Sequence, residues 1–130
     1  MKNLFIPYEL AVIAKEKRFN EECFAFYAFT STNFFYCKNL DLGGAMKNTD
    51  LSLSVAAPLY QQIVDWLREK HNIHFIIRKY MTGGVNSGNW HIAIDDLSKR
   101  RNVLELEDKA DHRDYYEALN TAIEEAFKLI

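Results

Sequence analysis

The chain has 130 residues, 48% of them hydrophobic and 14% aromatic, with a formal net charge of −2 and a pI near 6.1. That length suffices for one domain with a real core, and the apolar share excludes a disordered chain. The charge balance gives no drive toward polyanions, and no apolar run reaches the roughly 18–20 residues of a membrane span.

The N-terminal segment carries Lys2 and a short apolar patch, but Glu9 and the charged run from Lys15 to Arg18 interrupt it. It does not read as a signal peptide, so a cytoplasmic setting is the expectation. Pro7 opens a predicted helix running to about Arg18, with Leu10, Ile13 and Ala14 inward and Phe19-Asn20 as its exit. Cys23 to Phe29 is apolar at nearly every position. It suits a strand covered on both faces, or one covered on one face with aromatics exposed on the other. A polar turn, Thr30 to Asn33, leads to a second strand, Phe34 to Cys37, in a register that sets Phe29 opposite Phe34 and Cys37 opposite Phe26. Cys23 then falls on the other face from Cys37, so both thiols are expected free.

Lys38 to Asp50 is a long polar connection with Gly43-Gly44, the predicted mobile segment of the first half. Leu51, Leu53 and Val55 alternate with serines as a short extended lead. The central helix follows within Ala57 to Ile73. Leu59, Ile63, Trp66 and Leu67 recur at helical spacing, Pro58 suits the first turn, and Asp65 and Arg68 can pair at i, i+3. Asn72 can take the left-handed conformation that ends it, and Trp66 is its predicted anchor.

Ile73 to Met81 and Asn89 to Asp95 form a second hairpin around Gly83 to Gly88. Phe75, Ile77, Ile92, Ile94 and Trp90 share one face, while His74, Arg78, Tyr80, His91 and Asp95 share the other. Counting from the tip sets Tyr80 opposite His91 and Arg78 opposite Ala93. Asp95 to Arg113 is dense in charge and is expected as exposed loop. Asp114 and Glu117 fit a capping box opening a last helix, with Tyr116, Leu119, Ile123, Phe127 and Ile130 inward. The fold class predicted is α+β in the order α-β-β-α-β-β-α: one domain, with a single antiparallel sheet and helices mainly on one face.

Ile6-Pro7-Tyr8-Glu9, Glu22-Cys23-Phe24, Ala57 to Gln62, Asp65 to His71 and Tyr115 to Ala118 resemble, in similar order, short proteins of phage, prophage and mobile-element regions in Bacteroidetes-type bacteria. The resemblance implies a genomic setting and no catalytic residues. It does not extend to the charged segment from Lys99 to Asp111.

No motif carries a reaction. The run Gly83-Gly84-x-x-x-Gly88 lacks the Lys-Ser/Thr of a phosphate loop, and the serines and cysteines lack the pattern of a nucleophile. His71-x-x-His74 with His91 and Asp95 has the residue types of a metal site but not the certainty of convergence, so neither metal nor cofactor is assigned. Three function classes remain. The first is a non-enzymatic accessory domain that binds a protein partner or itself. The second is a nucleic-acid-binding module using the second hairpin and the basic cluster Lys99, Arg100 and Arg101. The third is a small enzyme with its site on the polar face of His74, Arg78, Tyr80, His91 and Asp95, where an Arg flanked by Asp95 and His91 could orient a carboxylate.

Overall fold

The computed structural model describes residues 2–28, 32–37, 44–82, 85–99, 101–105 and 112–130, with the side chains of 80–88 and 101–105 outside the description. The fold is α+β with antiparallel sheets, but the strands form two three-stranded sheets instead of the one expected. The chain divides into two compact units, Met1–Ile63 and Val64–Ile130.

In the first unit, helix α1 spans Tyr8–Glu16 and buries Leu10, Ala11 and Ala14. It stops two residues before Arg18 because Arg18 turns left-handed at φ 67°. The Phe19 N–H then donates to Ala14 O at 2.9 Å and the Arg18 N–H to Lys15 O at 3.0 Å, a Schellman closure. Phe19, the hydrophobic residue of that closure, is fully buried and so is core as well as exit.

Strands β1 (Ala25–Tyr27), β2 (Phe34–Tyr36) and β3 (Val55–Ala56) lie in the order β2-β1-β3. Both hairpin strands are shorter than their apolar runs suggest. The register also differs, since Tyr27 is opposite Phe34 and Ala25 opposite Tyr36, while Phe29 to Ser31 lie outside the described residues. The segment expected to be a loose connection is anchored where it is described. Met46 bridges Cys23, and the single helical turn Asn48–Asp50 carries a buried Asn48. The side chain of Asn48 donates to Phe19 O at 2.8 Å and accepts from the Ala56 N–H at 3.0 Å. The extended lead holds only at Val55–Ala56, and Leu53 is 63% exposed.

Helix α2 spans Tyr60–His71. Pro58 and Leu59 precede it, because Leu59 is held in a bridge with Phe5 while its N–H donates to the Gln62 side chain at 2.9 Å, one half of a capping box. At the other end Asn72 has φ 55°, the left-handed stop expected of it. Trp66 is 7% exposed, and Asp65 pairs with Arg68.

In the second unit β4 (Ile73–Thr82), β5 (Val85–Asp96) and β6 (Arg101–Glu105) form a meander in the order β4-β5-β6. β6 corrects the expectation of a loop from Asp95 to Arg113. The predicted six-residue tip is also corrected: Thr82 pairs with Val85, so residues 85–88 are strand, and Gly83-Gly84 lie outside the described residues. Helix α3 (Tyr115–Phe127) is capped by Asp114, whose carboxylate accepts from the Tyr116 N–H at 2.8 Å and the Glu117 N–H at 3.1 Å. It packs on β4 and β5, burying Leu119, Ile123 and Phe127, while Ile92 and Ile94 are buried apolar side chains of β5. Tyr116 and Ile130 are only half-buried.

Candidate functional site

The first sheet has two unlike faces. On one, Ala25 and Tyr27 are buried and Phe34 is half-buried, with Tyr36 46% exposed at its edge, and Phe34 meets Phe5 with ring centroids 5.1 Å apart and Tyr27 at 5.4 Å. Tyr27 also meets Tyr8 at 5.5 Å and donates its hydroxyl to Ile6 O at 2.7 Å. Burial, with Tyr60 and Glu9 nearby, pushes its phenol up to about 12, so it stays a neutral donor.

The opposite face is aromatic and open. Phe26 and Phe35 are directly paired across the strands and stacked at 5.7 Å with 24° between planes. Pairing continues past β1, since the Cys37 N–H donates to Phe24 O at 2.8 Å, which puts Phe24 on the same side as Phe26. Phe24 is 52% exposed and Phe35 48%. The sequence shows that CFAFYAF and FFYC hold more aromatics than one core face can bury. It does not single out Phe24 and Phe35, because which face is covered depends on contacts distant in sequence.

Cys37 borders this face, and both cysteines are free. The register differs from the expected one by two residues, which brings the Cys37 thiol 3.6 Å from Cys23 O. Burial, with Cys37 and Glu21 nearby, pushes the Cys23 thiol up to about 12, and burial also raises Cys37. Neither is poised as a thiolate nucleophile.

On the second hairpin the polar face exists, but its register corrects the count from the tip. Arg78 is opposite His91, not Ala93, and Asp95 is opposite His74. The cause is an irregularity between Lys79 and Met81, where Ser87 to Asn89 on β5 face Tyr80 alone. Arg78 and Asp95 are therefore separated along the sheet by the Ile76–Ala93 pair, with Ile76 49% exposed between them. The side chain of Tyr80 is outside the description. Among the described residues no three His, Cys, Asp or Glu side chains group to hold a metal, and His71 faces away to Trp66, its ring 4.5 Å from the indole.

The basic cluster is split. Arg100 is outside the described residues and Arg101 opens β6 opposite Asp96. The Lys99 ammonium lies 3.5 Å from the carboxylate of Asp96, which is 2% exposed. Asp96 also accepts from the Ser98 hydroxyl, the Ser98 N–H and the Lys99 N–H, bonds that hold its carboxyl below the usual range. It fixes the turn between β5 and β6. A cavity of about 380 Å³ beside this turn is lined by Lys70, His71, Asp96, Ser98, Lys99 and Ile130 among others. Its carboxylate already serves the turn. Trp90 of the second hairpin has the Lys79 ammonium over its ring at 5.3 Å and Tyr115 against it at 5.0 Å.

No known protein family, curated protein or solved structure matches the chain.

Proposed function

We propose that the chain is a non-enzymatic interaction domain, an accessory protein of a phage or mobile element, that binds a protein partner through the open face of β1 and β2. The observation that carries this reading is the aromatic group Phe24, Phe26 and Phe35, two of whose rings are half exposed. Aromatic side chains are the usual anchors of protein interfaces. Covering what remains open of Phe24 and Phe35 would remove roughly 200 Å² of apolar surface, about 5 kcal/mol of gross hydrophobic gain.

That area favours a different protein over a second copy. Two identical faces meeting would bury roughly 400 Å² from these rings, well short of the ~1,200 Å² of a stable interface. A partner of other shape can cover the rings and add surface beyond them. The phage or mobile-element setting rests on the resemblance of the quoted segments.

The test compares affinity capture by the wild type with capture by a Phe24→Thr/Phe35→Thr variant, in cells that produce the chain. A protein retained by the wild type and lost by a variant that still melts cooperatively is the expected result. Equal retention by both would overturn the reading.

A further inference from the structure

Lys15, in the last turn of α1, sends its ammonium to three main-chain carbonyls of one short turn. Its Nζ donates to Leu51 O at 2.9 Å, Ser52 O at 3.2 Å and Ser54 O at 2.8 Å. An ammonium has three donors, so one side chain saturates the cluster. Carbonyl oxygens converging on a single point are what replaces the hydration shell of a monovalent cation in selective sites. Divalent ions prefer carboxylates, and these three ligands are neutral dipoles.

The turn is held from both ends by bonds that do not involve Lys15. On one side the Lys47 N–H donates to the Asp50 carboxylate at 2.9 Å, and the Thr49 N–H to the Asn20 side chain at 2.9 Å. On the other, the Ala56 N–H donates to Asn48 at 3.0 Å. The three oxygens are thus positioned by the backbone around them and not by the amine alone.

We propose that Leu51 to Ser54 form a monovalent-cation cradle whose resident cation is the chain's own Lys15 ammonium, and that the cradle takes free ammonium or potassium once that amine is removed. The tethered cation holds the turn that displays Leu53.

The experiment is thermal melting of the wild type, Lys15→Ala and Lys15→Met in chloride salts of ammonium, potassium and tetramethylammonium at equal ionic strength. Tetramethylammonium is too large for the cradle and cannot donate a hydrogen bond. In it both variants should melt about 4–8 °C below the wild type. Ammonium and potassium should restore much of that loss for Lys15→Ala and leave the wild type unmoved. An unchanged Tm on losing the amine would overturn the proposal, as would an equal response of Lys15→Ala to the three salts. Should the variants fail to fold, acylation of the wild type by acetic anhydride decides. Lys15 should react about tenfold more slowly than exposed Lys70, because its ammonium is held by hydrogen bonds. Equal rates would overturn the cradle.

Discussion

Replacing Asn48 with Ala should destabilise the first unit more than any exposed substitution. Asn48 is 7% exposed, and its amide joins two places far apart in sequence by donating to Phe19 O and accepting from the Ala56 N–H. Truncation leaves the buried Ala56 N–H without its Asn48 acceptor, at about 1–3 kcal/mol, and removes one hydrogen bond to Phe19 O, worth about 0.5–1.5 kcal/mol. The sum, roughly 1.5–4.5 kcal/mol, is a large part of the about 5–15 kcal/mol that holds a domain together. Urea unfolding followed by far-UV circular dichroism should show a midpoint lower by about 1–2 M at unchanged slope. Asn48→Asp should be no better, since it keeps the acceptor for Ala56 but sets a carboxylate oxygen against Phe19 O. A loss of less than about 0.5 kcal/mol for Asn48→Ala would refute the reasoning, because that is the range of plain surface positions.

Two further outcomes are expected. Asp114→Ala removes the acceptor for the Tyr116 and Glu117 N–H groups and should cost about 1 kcal/mol in thermal unfolding, with Asp114→Asn recovering most of it. Burial lowers His71 from its ordinary 6.5, so between the folded pKa and 6.5 the unfolded chain binds more protons. Stability should therefore fall as the pH is lowered through 6.5. His71→Gln should flatten that slope, and a slope unchanged in the variant would show that other groups carry it.

The parts of the fold legible in the sequence are those fixed by local chemistry. Asn72 ends α2 because a short amide tolerates the left-handed region, and Asp114 opens α3 because its carboxylate reaches the N–H groups of the next turn. Trp66 is buried because its helical neighbours repeat at the right period. What was not legible depends on pairing at a distance. β6 hides in a charged stretch because Arg101–Glu105 has no clear alternation and is strand through its bonds to β5. The register of both hairpins slips from the counted one; in the second, Gly88 reads as part of the tip but lies in the strand irregularity opposite Tyr80. Splitting one expected sheet into two has the same origin, since strand order is a tertiary property. On the second hairpin Arg78 pairs with His91 and His74 with Asp95, two residues from the counted register, and the side chain of Tyr80 lies outside the described residues. The aromatic face was foreseen only as one of two ways to cover CFAFYAF.

The central claim is that Phe24, Phe26 and Phe35 form the surface that meets another protein. Site-specific photo-crosslinking tests it most directly, with benzoylphenylalanine placed at Phe35 or, as controls, at the exposed Glu69 and Glu124. In cells producing the chain, the probe at Phe35 should give one discrete adduct larger than the chain, containing a second protein, and the controls should not. Adducts of the same pattern from all three positions, an adduct consisting of two copies of this chain, or none at Phe35, would contradict the account.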